Sequence, residues 1–381
     1  MLYWLYTVLN QPGSTSFISK LSNVFQYQTF RAIVACLLAF VLSLLFGSRV
    51  IRKLISMKMG QPVRTEAEVH KLFELHGKKA GTPTMGGVLI LFTLVTATLV
   101  CCPLDNPLVW VVLYVTLALG ALGFVDDFLK VSKQNSQGVS ESGKIIVQLV
   151  VGLTAGFYLY RLPGHESFFH GLQIPFIKPE IFHVKDMGWF SVVFFCIVIV
   201  GCSNAVNFTD GLDGLASGCT VSCSLAYALF CYFTGHSGIA GYLNISHDSL
   251  VGELTPLCLA LTGAAIGFLW FNCFPARVFM GDTGSMAIGG CIAAVAICSR
   301  QELALIFVGG VFVVEALSVM AQRFWYKLSR KLYGQPRRLF RMAPIHHHFE
   351  LKGWKESQVI VRFWILSVCC ALLGLATLKL R

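Results

Sequence analysis

Apolar residues in this chain gather into long runs. Ten such runs occupy approximately residues 27–47, 84–102, 107–125, 145–161, 188–203, 215–235, 251–271, 284–300, 303–322 and 360–379. A helix needs about 20 mainly apolar residues to cross a bilayer core, because every backbone polar group must be satisfied inside the segment. The pattern predicts an all-α, polytopic integral membrane protein with about ten transmembrane helices, organised as one transmembrane domain over 1–381. Residues 1–9 are apolar and aromatic but reach only about half a bilayer. No basic residue precedes them as a signal peptide requires, so this segment reads as an interfacial anchor.

Composition agrees. Of 381 residues, 55% are hydrophobic and 13% charged, and mean hydropathy is +0.69, whereas soluble domains carry about 25% charged residues. The 14 cysteines include no C-x-x-C pair. Most, such as Cys196, Cys219, Cys223, Cys291 and Cys369, lie inside apolar runs as small filler. Cys101 and Cys102, at a helix end, are the two that could meet an oxidising compartment.

Basic residues set the orientation. The odd-numbered connections hold 22 Lys and Arg, and the even-numbered ones only Arg161, Lys178, Lys185 and Arg300. By the positive-inside rule the odd connections face the cytoplasm, and with ten spans both termini are periplasmic. The formal charge of +11 is therefore mostly topology, and nucleic-acid binding need not be invoked.

Polar residues near the spans are concentrated on that same face. Asp126 and Asp127 close the third run in Gly-Phe-Val-Asp-Asp-Phe-Leu-Lys, ending at Lys130. The fifth connection carries Asn204, Asn207 and Asp210, which a helix would gather on one face, followed by Gly211, Asp213 and Gly214. The seventh runs from Asn272 through Pro275-Ala-Arg-Val-Phe-Met-Gly-Asp-Thr-Gly, with Asp282 before the eighth span. The ninth contains Ala-Pro-Ile-His-His-His-Phe at 343–349, and the first ends in Gly-Thr-Pro-Thr-Met-Gly-Gly at 81–87. Acidic side chains at membrane boundaries are costly unless they are used, and five unusual segments on one side point to a single site.

Four or five carboxylates with few available thiols suit a hard, oxygen-loving ion. Magnesium takes one or two carboxylates plus substrate phosphates, which implies a phosphate-containing substrate. Lys130, Lys144 and Lys79 could then neutralise phosphate oxygens. Competing structural readings exist for each motif: a plain helix end at Asp126 and Asp127, an Asp-Gly turn at Asp210 and Asp213, and an N-terminal cap at Asp282. The adjacent His346, His347 and His348 do not have the spacing of a zinc site. Substrate contact or proton transfer suits them better.

With these motifs in this order the chain resembles the polyprenyl-phosphate N-acetylhexosamine-1-phosphate transferase superfamily, from about Lys79 to Trp354, and its histidine loop resembles the muramoyl-pentapeptide branch. The resemblance implies a magnesium-dependent enzyme of the bacterial inner membrane, with the site facing the cytoplasm. It would pass phospho-N-acetylmuramoyl-pentapeptide from its UDP derivative to undecaprenyl phosphate, yielding lipid I and UMP, and would form a homodimer. It implies Asp126, Asp127, Asp282 and His346 as catalytic, with Asp282 also the metal-contacting carboxylate. Lys79, Thr84, Lys130, Lys144, Asn204, Asn207, Asp210, Asp213, Asn272, Phe279, His347 and His348 would bind substrate, Phe279 offering its ring to uracil. The rivals are a sibling transferase using UDP-N-acetylglucosamine and a transporter, which would place its acids near the bilayer midplane between inverted repeats.

Overall fold

A computed structural model describes residues 2–9, 23–57, 81–133, 138–177 and 184–379. Each of the ten expected runs is helical. The principal helices are α1 (Gln28–Ser56), α2 (Gly87–Cys101), α3 (Pro107–Ser132), α4 (Glu141–Tyr160), α5 (Phe190–Thr209), α6 (Leu215–Gly235), α7 (Thr255–Asn272), α8 (Gly281–Cys298), α9 (Gly310–Tyr333) and α10 (Glu356–Ala376). Eight segments are long and apolar enough to cross a membrane, that of α7 counted from Ser249. The two remaining helices of the expected ten are α2, with 15 residues, and α9, which carries Glu315, Arg323, Lys327, Arg330 and Lys331 along its length. The described residues contain no strand; Leu172 and Val184 form an isolated bridge. The initial segment is a short helix, Leu2–Leu9.

Local chemistry sets several boundaries. Asn106 accepts the Leu108 N–H at the start of α3, with Pro107 in the first turn, where a missing N–H costs nothing. Ser140 likewise accepts from Gly143 to open α4. At 81–86, ahead of α2, the chain is not helical, and the second expected run therefore starts late. The ninth run is interrupted at Gly309 and then continues through the Arg-Phe-Trp-Tyr-Lys stretch to Tyr333 as one helix.

Helix α8 is the axis of the bundle, with 89% of its apolar window buried. It packs on α3, α5 and α2, while α7 packs on α1 and α6. Small residues make this possible: a Cβ on Gly87 would lie 2.2 Å from the Gly284 backbone nitrogen, a separation only glycine allows between crossing helices. Cys101 and Cys102 are fully buried and unpaired. They are not presented to an outside compartment as expected, because Cys101 packs in the core and its carbonyl faces the buried Arg31 guanidinium.

Candidate active site

All five unusual segments meet at one end of the bundle. The 81–87 segment pairs with 279–280: Phe279 N–H donates to the Pro83 carbonyl at 2.8 Å, and Gly86 and Gly87 N–H groups donate to the Phe279 and Met280 carbonyls. The Ala276 N–H donates to Asp213 at 3.0 Å. His346 lies against Gly211, where an added Cβ would stand 2.3 Å from Nε2. The sequence motifs are thus walls of one structure.

Its centre is made by α3 and the first turn of α8. Gly123, one turn before the acid pair, brings the two helices together, since a Cβ there would lie 2.2 Å from the Asp282 carbonyl oxygen. That approach lets Asp127 accept the backbone N–H groups of Asp282 (3.1 Å) and Thr283 (2.9 Å) and the Thr283 hydroxyl (2.8 Å). These amides are among those a helix leaves unpaired at its start, so Asp127 caps α8 from a neighbouring helix. Gly281 opens the helix at φ +72°, and any Cβ there would meet Asp127 Oδ2 and Thr84 Oγ1. The capping job considered for Asp282 therefore belongs to Asp127, and the Asp282 side chain is free for other contacts.

Asp282 turns toward two lysines and an amide. Its Oδ2 lies 3.0 Å from Lys130 Nζ and 2.8 Å from Lys144 Nζ, and its Oδ1 accepts from Asn207 Nδ2 at 2.9 Å. Asp126 Oδ2 shares both lysines, at 2.7 and 2.8 Å, while its Oδ1 accepts the Val139 N–H. One carboxylate oxygen from each of Asp126, Asp127 and Asp282 lies within 4.8 Å of the others. The donors are all hard oxygens, which fits magnesium or calcium and not zinc. Asp127 is committed to the backbone and hydroxyl that start α8, whereas Asp126 and Asp282 share two partly exposed lysines whose long side chains can turn aside, so this pair could hold an ion.

Around this centre the other candidates take different positions. Asn207 also bonds Ser285 Oγ at 2.9 Å. Asn204, one turn deeper, donates to Gln148 and to the Val200 carbonyl. Asp210 ends α5; desolvation, with Asp282, Asp127 and Asp213 nearby, pushes its carboxyl well above the usual carboxylate range. Asn272 is buried with both ends of its amide spent on Ser217 and the Val278 carbonyl, closing the 272–280 loop rather than facing it. Thr84 is buried beside Gly281, and Phe279 is half-buried. Lys79 lies outside the described residues.

The histidines occupy a short helix, Ile345–Glu350. His346 is fully buried, 3.2 Å from the equally buried Glu315 of α9, so it shows no exposed surface to a substrate. His347 Nδ1 lies 2.7 Å from Glu350. His348 Nδ1 accepts the Arg341 N–H; desolvation, Lys352 and Arg341 hold its pKa below the ordinary value. Sequence reasoning missed Thr283 and Ser285, whose signal was adjacency to Asp282. It also missed Glu315, a lone acid inside the ninth apolar run.

Comparison with known proteins agrees with this geometry. Residues 109–300 match the Glycosyl transferase family 4 model, and residues 79–91 match the phospho-N-acetylmuramoyl-pentapeptide-transferase signature 1. Proteins named phospho-N-acetylmuramoyl-pentapeptide-transferase are similar over nearly the whole length. That of Syntrophus aciditrophicus is 49% identical over 94% of this chain and 96% of its own. That of Methylacidiphilum infernorum is 47% identical over all of both chains.

Proposed function

The chain belongs to the phospho-N-acetylmuramoyl-pentapeptide-transferase family, and from that premise we propose that it moves phospho-N-acetylmuramoyl-pentapeptide from its UDP derivative to undecaprenyl phosphate, forming lipid I and UMP. Membership makes it a phosphoglycosyl transferase of peptidoglycan synthesis. The carrying observation is the convergence of Asp126, Asp127 and Asp282 beside Lys130 and Lys144 at the ends of apolar helices. There a polyprenyl tail can remain in hydrocarbon while its phosphate meets a water-soluble nucleotide sugar.

In the proposed reaction an oxygen of the lipid phosphate attacks the sugar-proximal phosphorus in line. The bond from that phosphorus to the bridging oxygen breaks, and its electron pair leaves with UMP. Lys130 and Lys144 neutralise charge on the phosphates, and Asp126 orients the attacking group; positioning and charge compensation supply most of the catalysis. Asp282 and Asp126 would hold magnesium, which would supply compensation for negative charge on the donor's diphosphate. Asn207 fixes the Asp282 rotamer. Asp210, Asp213 and Phe279 border the same recess and form the nucleoside side of this reading.

The bias of basic residues supports placing the site in the cytoplasm, with ten crossings and both termini outside; a homodimer completes the proposal. The test is UMP release by detergent-purified protein given undecaprenyl phosphate, with and without magnesium, using UDP-N-acetylmuramoyl-pentapeptide or UDP-N-acetylglucosamine as donor. Magnesium-dependent release with the muramoyl donor alone supports the proposal. Release only with the other donor moves the chain to the sibling activity, and none with either from folded protein refutes both.

A further inference from the structure

We infer that Glu315 is a positioning residue for the donor side of the site, holding His346 and, through it, the 210–214 turn that bears Asp210 and Asp213. The inference rests on the transferase reading above. Glu315 sits in the apolar first half of α9, in the run Gly-Val-Phe-Val-Val-Glu-Ala-Leu. An ionisable group in such a helix is expensive and faces the protein interior when it is kept. Glu315 and His346 both have no exposed surface. Among the described residues no hydrogen bond reaches either carboxylate oxygen or either ring nitrogen, so the close approach of the two side chains is the polar contact each has.

The two groups therefore answer each other. His346 Nδ1 and Glu315 Oε2 lie 3.2 Å apart and offset each other's polarity, whereas removing one partner strands the other in a low-dielectric interior. The opposite edge of the same ring is pressed on Gly211, whose missing side chain is what admits Nε2. Three segments distant in sequence, α9, the histidine helix and the turn after α5, are thus joined through one imidazole. An apolar pair of similar volume would fill this space at less cost. What it could not do is fix the ring's rotation by a directed polar contact, and the ring edge in turn fixes Gly211 between the two acids.

The test uses the full-length protein in detergent with two independent variants, Glu315→Gln and Gly211→Ala. Steady-state kinetics give KM for the UDP-linked donor and for undecaprenyl phosphate separately, and calorimetry gives the affinity for UMP. Both variants are expected to raise donor KM and weaken UMP binding by about tenfold, as loss of an orienting partner typically does, with acceptor KM within about twofold of wild type. Unchanged donor KM and UMP affinity in both variants overturns the inference. So does an equal rise in both KM values, the mark of a general loss of packing. Wild-type protein that releases no UMP would instead sink the transferase reading, and the UMP affinities would still compare the variants.

Discussion

Asp127 and Asp282 lie side by side in the same cluster, yet the structure gives them different work, and stability measurements should separate them. Asp127 is 4% exposed and accepts three hydrogen bonds from the start of α8. Losing a helix cap costs about 1–2 kcal/mol. Leaving the buried Thr283 N–H and hydroxyl without an acceptor adds roughly 1–3 kcal/mol, so Asp127→Ala should lose ~2–5 kcal/mol in all. Asp127→Asn keeps one acceptor oxygen and should lose about 1–2 kcal/mol. Asp282→Asn retains an acceptor for Asn207, and Asp126 still pairs both lysines. Relief of repulsion among the carboxylates offsets the lost pairs, and the partly exposed lysines weaken those pairs further, so the change should stay below about 1 kcal/mol. Thermal unfolding in detergent can be followed with a thiol-reactive dye, because most of the cysteines are buried and all are free. The expected order of melting temperature is wild type near Asp282→Asn, then Asp127→Asn, then Asp127→Ala, with UMP release nearly abolished in Asp282→Asn. A wild-type melting temperature for Asp127→Ala would refute the capping role, as would equal destabilisation by Asp282→Asn.

Four further outcomes follow from the same geometry. Gly281→Ala places a Cβ against Asp127 at positive φ and should cost ~1–3 kcal/mol together with most activity, read by unfolding and UMP release. Asn207→Ala removes the bond to Asp282 Oδ1 and should raise the magnesium concentration for half-maximal activity about 10–100-fold; an unchanged titration would remove Asn207 from the ion's support. Asp210 has a folded pKa raised well above the usual carboxylate range, so the folded state binds the extra proton and stability falls as pH rises through that interval. Asp210→Asn in magnesium-free buffer should therefore melt higher than wild type at neutral pH, with the gain disappearing as pH drops below the ordinary carboxylate pKa. A pH-independent difference would contradict this. His347→Ala should impair use of the nucleotide sugar more than it lowers the melting temperature, and unaltered kinetics would demote the histidine loop to structure.

The helices were legible because apolar length is written directly into the chain: all ten runs returned as helices, and eight segments are long and apolar enough to cross a membrane. The site was legible as a set: five polar segments of one parity converge, with Asp126, Asp127, Asp282, Lys130, Lys144 and Asn207 in mutual contact. The division of labour within the set was not legible. Whether an Asp beside a helix start caps that helix or its neighbour depends on the crossing of α3 over α8, which Gly123 permits and no local pattern announces. Asn272 looked equivalent to Asn207, yet its amide is consumed by Val278 of its own loop and Ser217 of α6. His346 looked available for chemistry, but it is buried against Glu315, some thirty residues earlier in the chain. Those partners are set by packing between distant segments, and a one-dimensional pattern carries no distance.

Charge balance explains why such a site would sit at a helix boundary and call for a divalent ion. Asp126, Asp127, Asp282, Asp210 and Asp213 are electrostatically within reach of one another, and the ammonium groups seen among them are those of Lys130 and Lys144. Two cations against five acids is tolerable only where water or protons make up the difference, and burial with the neighbouring acids pushes the Asp210 carboxyl above the usual carboxylate range, in the direction of proton uptake. A nucleoside diphosphate and a lipid phosphate would bring several more negative charges into the same recess. Two lysines cannot bridge carboxylates and phosphates at once, since each ammonium already spans Asp126 and Asp282. A small divalent ion can compensate both sets while the lysines turn to the phosphates. Magnesium should accordingly strengthen UMP binding, and replacing Lys144 with Met should make that binding depend more steeply on magnesium, an outcome calorimetry reads directly and one that unchanged dependence would exclude.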